Sequence, residues 1–404
     1  MDLTTIIRSV QGFGTPIWLY DANIIQQRIL DLKAFDIIRY AQKANSNTHI
    51  LKLMREQGVK VDAVSVGEVQ RAFMAGYKKE EIVYTSDLLS KEALRYIIEQ
   101  GITVNAGSID MLSQIGEVNS GHKVWIRVNP GFGHGHSPKT NTGGENSKHG
   151  IWHEDVQKAL FQIQKYQLNL EGVHMHIGSG VDYEHLKNVC SAMTHLIKQE
   201  KIDIKAISAG GGLSVPYQSH EEPINPHHYF SIWDKARKNL EEHLEHAVTL
   251  EIEPGRYLVA ESGQLICEVR ATKDMGKLHY ILVDAGFTEL IRPSMYGSYH
   301  AIKIIDKNGN EKSGELRPTV VAGPLCESGD VFTQEEGGVV VTRNLANAEV
   351  GDYLVIENSG AYGASMSSNY NSRPLCPEVM IEGKNIRLIR HGQSMSDLLA
   401  LEDI

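Results

Sequence analysis

A lysine directly after a short apolar segment is the first residue whose surroundings could support chemistry. Lys43 stands in the segment Tyr40–Asn45, among small and apolar neighbours. Burial lowers the pKa of a lysine, and a neutral amine can attack a carbonyl carbon. A surface lysine at the end of a strand is the more common meaning of such a position. The position alone leaves both interpretations open.

Three consecutive glycines and a Glu-Pro-Gly-Arg segment form a second chemical pattern. Residues Gly210–Gly212 would expose backbone N–H groups without side chains in the way, which suits a phosphate. A flexible turn explains a glycine run by itself, but the segment Glu253–Arg256 ends the next apolar stretch, so a phosphorylated ligand is favoured. Glu253 could keep a pyridine nitrogen protonated, or it could cap a helix or pair with Arg256.

Two histidines at alternate positions offer either ring stacking or metal binding. His174 and His176 share one face if their segment is extended, and His176 could lie flat against an aromatic ring. A metal would need a third ligand and supporting groups. Four further histidines are close in the sequence: His134, His136, His149 and His153. None completes a recognisable ligand spacing, so metal binding is the less favoured alternative.

Short apolar segments alternate with amphipathic stretches between Ile37 and Arg256. The strand candidates are Ile37–Ala41, Lys60–Val64, Glu81–Tyr84, Ile102–Asn105, Lys123–Val128, Leu170–Ile177, Ile204–Ser208 and Val248–Glu253. Strands that alternate with helices predict right-handed βαβ units and a parallel sheet. Eight units in roughly 220 residues fit a (β/α)8 barrel better than an open sheet, although periodicity alone does not show closure. The carboxyl ends of the strands would then carry the active site.

The sequence pattern changes after Arg256. Apolar alternation broken by Gly, Asn and Pro predicts a second, mostly antiparallel β domain, with a helix only around Ser394–Leu401. We therefore predict a barrel domain of residues 16–260 and a β domain made of residues 1–15 and 261–404. The insertion Pro130–Gly150, rich in Gly, His, Asn and Ser, is predicted to be a functional or mobile loop.

Composition and charge exclude several classes of protein. The 404 residues carry a formal charge of −10 with no basic cluster, which argues against nucleic acid or an anionic membrane as partner. No apolar run approaches the roughly 18 residues of a membrane span, and the first 14 residues lack a signal-peptide pattern. The four cysteines are scattered, which predicts free thiols and a cytoplasmic enzyme.

Several of these motifs, in order along the chain, resemble the barrel-type pyridoxal-phosphate decarboxylases and, among them, the diaminopimelate decarboxylases. The motifs are Tyr40–Asn45, His176–Ser179, Gly210–Gly212, Glu253–Arg256, Arg292–Tyr296, Cys326–Asp330, Gly360–Gly363 and Asn369–Pro374. The resemblance covers essentially the whole chain. It implies an alanine-racemase-like barrel with a β domain, pyridoxal 5′-phosphate as cofactor and a homodimer with shared active sites. It also implies that meso-2,6-diaminopimelate is decarboxylated to L-lysine and CO2.

The resemblance also implies a role for each matching residue. It implies that Lys43 bonds to the cofactor aldehyde, His176 stacks on the ring and Glu253 pairs with the ring nitrogen. The residues implied to bind the phosphate end of the cofactor are Gly212, Pro254, Gly255 and Arg256. The residues implied to bind substrate are Arg256, Arg292 and Tyr296 for carboxylate, and Glu327 for the distal ammonium. Tyr362 would contact both ligands, and Cys326 would donate the proton, with Cys326 and Glu327 supplied by the partner subunit.

Three alternatives remain open at this point. A related decarboxylase would act on ornithine, arginine or carboxynorspermidine. Ornithine or arginine would leave Arg292 without a distal anion. A racemase of the same fold places an arginine beside the ring nitrogen, so Glu253 speaks against it. A non-catalytic cofactor carrier lacks the β domain. For Cys326 the alternative is a buried apolar role, which we expect for Cys190 and Cys267; Cys376 is undecided.

Overall fold

The chain forms two compact units in this computed structural model, which describes residues 1–133, 141–178, 180 and 183–402. One unit consists of residues 27–214 and 223–257, and the other of residues 1–26, 215–222 and 258–404. His134, His136, Ser179 and part of the Pro130–Gly150 insertion lie outside the described residues.

Eight parallel strands close into a barrel within the described part of the first unit. They are Ile37–Ala41, Lys60–Ala63, Ile82–Ser86, Thr103–Ala106, Lys123–Asn129, Asn169–His174, Ala206–Ser208 and Thr249–Ile252. Neighbours pair in chain order, and the ring closes where Glu251 of the last strand lies opposite Ile37 of the first. The predicted (β/α)8 barrel is confirmed. A two-residue strand, Ile151–Trp152, pairs beside Lys123–Asn129.

Helices alternate with the barrel strands along the chain. The helices of this part of the chain are Ala22–Leu30, Thr48–Glu56, Val66–Met74, Lys91–Gln100, Ile109–Val118, Val156–Lys165, Tyr183–Gln199, Pro226–Leu244 and Arg256–Val259. Three of them begin after a serine, whose hydroxyl accepts a hydrogen bond from an otherwise unpaired N–H of the first turn. Ser65, Ser90 and Ser108 accept from the amide three residues on, at 3.2, 3.0 and 3.4 Å.

The barrel interior is polar, which is unusual for a buried sheet and positions the chemistry. The parallel register places Arg127 opposite His174, and His174 opposite Ser208, so these side chains share one face. Near the closing strands, Arg39 Nη2 lies 2.8 Å from Glu251 Oε2, and both side chains are buried. A pair this deep needs good hydrogen-bond geometry to offset its desolvation, and Arg39 supplies two nitrogens to the carboxylate.

The second unit is built on a mostly antiparallel sheet, as predicted. Its nine described strands are Ile17–Asp21, Gly263–Met275, Leu278–Val283, Ile302–Ile305, Leu316–Ala322, Arg343–Ala346, Tyr353–Ile356, Glu378–Glu382 and Asn385–Arg390. A separate hairpin joins Gln334–Glu335 to Val339–Val340. The described helices of this unit are Leu3–Phe13, Arg292–Tyr296 and Met395–Leu399.

The N-terminal segment belongs to this sheet. Strand Ile17–Asp21 pairs antiparallel with Gly263–Met275 and parallel with Glu378–Glu382. The apolar face of helix Leu3–Phe13 packs on the sheet through Ile6 and Val10. The part of the chain described here contains no helix of the length and apolarity that a membrane span requires.

Candidate active site

Lys43 extends from a tightly buried turn at the end of the first barrel strand. The turn spans Gln42–Ala44 as a short 3-10 helix, and Gln42 and Ala44 are fully buried whereas the Lys43 side chain is exposed. The Ala41 N–H donates to the carbonyl of Pro254 at 3.1 Å, which ties this strand end to the last one. The backbone is therefore fixed while the amine is accessible.

Glycines allow the neighbouring strand ends to approach closely. A Cβ on Gly211 would lie 2.5 Å from the carbonyl oxygen of Glu253, and one on Gly255 would lie 3.2 Å from that of Ala41. Gly212 has a φ of +100°, a backbone conformation that other residues rarely adopt. The result is a cradle of unobstructed backbone, which is how proteins commonly receive a phosphate.

Glu253 is held by two side chains inside the barrel. Its Oε2 lies 2.8 Å from His174 Nε2, and its Oε1 accepts a hydrogen bond from Ser208 Oγ at 3.1 Å. Burial would raise the pKa of Glu253, but the charge and hydrogen bond of His174, with Arg39 and Ser208, outweigh it and lower the pKa. Glu253 is therefore a carboxylate at neutral pH, as pairing with a protonated pyridine nitrogen requires.

His176 lies against the glycine run and close enough to Lys43 to feel its charge. Burial lowers the pKa of His176 well below its usual value, and the positive charges of Arg127 and Lys43 lower it further. The imidazole is therefore neutral and free to stack on an aromatic ring. A Cβ on Gly211 would be 3.9 Å from His176 Cε1, so the histidine adjoins the glycine cradle.

The structure gives His174 a role other than metal binding. Its ring centre is 6.5 Å from that of His176, and its Nε2 is directed to Glu253. Among the residues that the structure describes, no group of three or more His, Cys, Asp or Glu side chains has an arrangement suited to a metal ion.

Sequence reasoning missed one interior residue and underrated another. Arg127 is only 8% exposed; burial lowers its pKa, and the charges of Asp87, Glu253 and Asp62 oppose that shift. Asp62 lies in the predicted strand Lys60–Val64, and only the structure reveals its state: burial and the negative charge of Glu253 raise its pKa to about 8. Arg127 could have been found from its place two residues before Asn129 on the same face.

Another pair of polar residues anchors the described end of the long insertion. Asn129 donates its side-chain amide to the carbonyls of Gly144 and His149, at 3.1 and 3.2 Å. Asp87 accepts from the N–H of Gly150 at 2.9 Å and lies 2.5 Å from His149 Nδ1. Residues 141–150 are thus tied to the ends of two barrel strands.

The barrel residues fit pyridoxal phosphate. The accessible amine of Lys43 matches the aldehyde of that cofactor, and the neutral imidazole of His176 matches its ring. The ionised carboxylate of Glu253 matches the ring nitrogen. The glycine cradle, which an added Cβ would fill, matches the phosphate. Pro254, Gly255 and Arg256 continue from Glu253 at the same strand end, with Pro254 and Gly255 buried and Arg256 partly exposed.

In the second unit, Arg292 and Tyr296 lie on one short helix, Arg292–Tyr296. Arg292 is buried, and Tyr296 is partly exposed. The Arg292 guanidinium donates to Tyr217 Oη at 3.1 Å and to Ser298 Oγ at 3.3 Å. Tyr217 and Ser298 are uncharged, and a guanidinium can form paired hydrogen bonds with a carboxylate ligand.

Cys326 and Glu327 are exposed on a loop that a buried carboxylate organises. Asp330 accepts from the N–H of Leu325 at 2.8 Å, and its own N–H donates to the Glu327 carbonyl at 3.0 Å. The Cys326 N–H donates to Asn371 Oδ1 at 3.1 Å. The loop thus has a defined backbone and an accessible thiol.

The other three cysteines have no such access. Cys190, Cys267 and Cys376 are all buried. Burial raises the pKa of each thiol, to about 12 for Cys190. These residues therefore behave as apolar packing groups.

Tyr362 lies between two glycines of the second unit, Gly360 and Gly363, at which the chain packs closely against its neighbours. Its φ is +57°, and a Cβ on Gly363 would lie 2.5 Å from a ring carbon of Trp18. A Cβ on Gly360 would lie 1.9 Å from the Val259 carbonyl oxygen. Both flanking glycines are thus required for the conformation that presents Tyr362.

The predicted residues fall into two sets. The first unit brings together Lys43, His176, Gly212, Glu253, Pro254, Gly255 and Arg256. The second unit carries Arg292, Tyr296, Cys326, Glu327 and Tyr362.

Comparison with known proteins shows a family that the barrel domain matches. Residues 22–260 match the family model described as the pyridoxal-binding domain of pyridoxal-dependent decarboxylases. A diaminopimelate decarboxylase from Escherichia coli is 58% identical over 99% of this chain and 97% of its own length.

Solved structures give the same result. A crystal structure of a diaminopimelate decarboxylase, 58% identical, superposes with a TM-score of 0.97 and covers 99% of this chain and 96% of that one. The enzyme from Helicobacter pylori, solved in complex with L-lysine, is 33% identical, with a TM-score of 0.88 over 98% of each chain.

Proposed function

Because this chain belongs to the pyridoxal-dependent decarboxylases, and within them to the diaminopimelate decarboxylase family, we propose that it decarboxylates meso-2,6-diaminopimelate to L-lysine and CO2. This is the last step of lysine synthesis by that route. The observation that carries the proposal is an identity of 58% across nearly the whole chain.

Pyridoxal phosphate supplies an electron sink for the pair left behind when CO2 departs. We propose that Lys43 binds the cofactor aldehyde, and that Gly212, Pro254, Gly255 and Arg256 surround its phosphate end. His176 would lie against the ring, and ionised Glu253 would keep the ring nitrogen protonated. The lowered pKa values of His176 and Glu253 support these two roles.

We assign substrate recognition to charged and polar groups that match a molecule with an amino and a carboxyl group at each end. Arg256, Arg292 and Tyr296 would bind carboxylate, since a guanidinium forms paired hydrogen bonds with it. Glu327 would bind the distal ammonium, and Tyr362 would contact cofactor and substrate. Fixing the far end of the substrate orients the carboxylate that leaves.

Cys326 is the proposed proton donor to the carbon that loses CO2. Its exposed thiol, on a loop held by Asp330, supports this role, whereas the three buried cysteines lack access. We further propose a homodimer in which Cys326 and Glu327 complete the active site of the partner subunit. The cytoplasm is the proposed location, and four free cysteines are consistent with a reducing compartment.

The test is release of labelled CO2 from carboxyl-labelled meso-diaminopimelate by the purified protein with added cofactor. Ornithine, arginine and carboxynorspermidine are each tested as the substrate in a separate, parallel reaction. Labelled CO2 and L-lysine from diaminopimelate alone are expected. The proposal would be overturned if ornithine, arginine or carboxynorspermidine is turned over faster than diaminopimelate. It would also be overturned if diaminopimelate releases no labelled CO2.

A further inference from the structure

A buried histidine contacts the guanidinium of Arg292 within the second unit. His300 Nε2 lies 3.0 Å from Arg292 Nη1, and the two residues are 3% and 5% exposed. The guanidinium carbon is also 4.9 Å from the centre of the Tyr217 ring, whose edge meets the His300 ring at an interplanar angle of 81°. The groups that contact Arg292 therefore include His300 and Tyr217, both uncharged side chains held in a defined arrangement.

The surroundings of His300 fix which ring nitrogen carries the hydrogen. Its Nδ1 lies 2.9 Å from the carbonyl oxygen of Glu357 and 3.4 Å from Ser359 Oγ. A carbonyl can only accept, and the Ser359 hydroxyl has carbonyl acceptors of its own at 3.0 and 3.1 Å. Nδ1 must therefore be the donor.

The other nitrogen faces the opposite requirement. A guanidinium has donors only, so His300 Nε2 must present its lone pair to Arg292. One tautomer of the neutral imidazole satisfies both sides. A second proton on the ring would set an N–H against the N–H groups of Arg292 and place two positive charges side by side.

We propose that His300 is a positioning residue for substrate recognition: its Nε2 lone pair holds the Arg292 guanidinium in the orientation that receives the carboxylate retained in the product. This inference rests on the proposed function, in which Arg292 binds substrate carboxylate. A neutral acceptor suits the task, because a carboxylate in its place would compete with the substrate for the guanidinium. Fixing the planar group beforehand also reduces the entropy lost on binding.

Inhibition by two ligands, the product L-lysine and its decarboxylated analogue cadaverine, distinguishes this positioning role from a general effect on folding. L-Lysine keeps the carboxylate that Arg292 would bind, whereas cadaverine has the same two ammonium groups and no carboxylate. A loss of Arg292 orientation should weaken inhibition by L-lysine and leave inhibition by cadaverine unchanged. A distorted site would weaken both.

Two substitutions test separately the two hydrogen bonds of the His300 ring, one from Nδ1 to the Glu357 carbonyl and one from Arg292 to Nε2. In His300→Asn the side-chain amide takes the place of Nδ1 and can still donate to the Glu357 carbonyl, but nothing reaches Arg292. In His300→Gln the amide oxygen reaches the place of Nε2 and accepts from Arg292. Inhibition constants for L-lysine and cadaverine are measured on the cofactor-loaded enzyme, with Arg292→Gln as the reference variant.

We expect His300→Asn to weaken inhibition by L-lysine about tenfold or more, the effect of losing one hydrogen bond to a charged group. Inhibition by cadaverine should not change, and His300→Gln should restore most of the affinity for L-lysine. An unchanged L-lysine constant in His300→Asn, or equal losses for both ligands, would overturn the positioning role while leaving the proposed function intact. If Arg292→Gln itself leaves the L-lysine constant unchanged, then the assignment of Arg292 fails instead, and the role of His300 fails with it.

Discussion

His174 Nε2 lies 2.8 Å from Glu253 Oε2 in the interior of the barrel, and the His174 side chain is only 2% exposed. This contact keeps a carboxylate ionised where burial alone would favour its protonated form. Glu253 can serve a pyridinium nitrogen only as an anion, so the function proposed for Glu253 depends on its neighbour.

Replacing His174 by leucine should therefore weaken cofactor binding. The charge and the hydrogen bond of His174 both lower the pKa of Glu253, so their loss should raise that pKa and weaken the negative charge that the ring nitrogen needs. We expect the dissociation constant of pyridoxal phosphate to rise about tenfold or more, in line with a lost charged hydrogen bond. Absorbance titration of the cofactor-free protein measures this.

His174→Gln is the matched control, since it keeps a hydrogen-bond donor at this position. It should bind the cofactor more tightly than His174→Leu. A leucine variant with the affinity of the wild type would show that Glu253 does not depend on this contact.

Asp62 predicts a pH dependence of stability in the cofactor-free protein. Its pKa is raised from 3.8 to about 8 by burial and by the charge of Glu253. The folded state then holds a proton that the unfolded state has lost, so stability falls as pH rises from about 4 to about 8. The melting temperature should be lower at pH 8 than at pH 6 for this reason.

In Asp62→Asn this contribution is removed, because the amide does not ionise. The difference in melting temperature between pH 6 and pH 8 should shrink relative to the wild type. An identical difference in both proteins would mean that Asp62 is ionised throughout this range.

Gly211→Ala tests the phosphate cradle. The new Cβ would lie 2.5 Å from the Glu253 carbonyl oxygen, so the strand ends must separate. We expect pyridoxal phosphate to bind about tenfold more weakly or worse, in an equilibrium titration. Gly12→Ala is the control, since a Cβ there has no neighbour within 4 Å. Equal cofactor affinity in the two variants would contradict the cradle.

Mixing two inactive variants tests the shared active site. Lys43→Ala removes the cofactor-binding amine and Cys326→Ala removes the proposed proton donor, so each alone should lose most of its activity. If a homodimer takes these groups from different subunits, random mixing after dissociation restores about a quarter of the active sites. Decarboxylation assays before and after remixing measure this. No recovery, with dimers of mixed composition confirmed by mass, would contradict a shared site.

The sequence predicts the barrel well because its signal is local. Each strand from Ile37–Ala41 to Thr249–Ile252 is a short, largely apolar segment followed by a helix, and several of these helices begin at a capping residue, so both patterns are visible in neighbouring residues. The second sheet was harder to predict. Strand Ile17–Asp21 pairs with strands that begin at Gly263 and Glu378, and no local pattern encodes partners so distant in the chain.

The active-site residues also differ in how far the sequence predicts them. Motif residues such as Lys43 and Glu253 are found by type and spacing, but the state of Glu253 depends on His174 and Ser208, which come from two other strands. Two histidines at alternate positions suggest metal ligands, so the sequence alone leaves that interpretation open for His174. Only the register of the closed barrel shows that it faces a carboxylate instead.

The most direct test is to reduce the cofactor-loaded protein with borohydride, digest it and locate the pyridoxyl group by mass spectrometry. We expect one modified peptide, carrying the added group on Lys43, and no such peptide from Lys43→Ala. A pyridoxyl group on a different lysine, with the Lys43 peptide unmodified, would contradict the assignment of the active site.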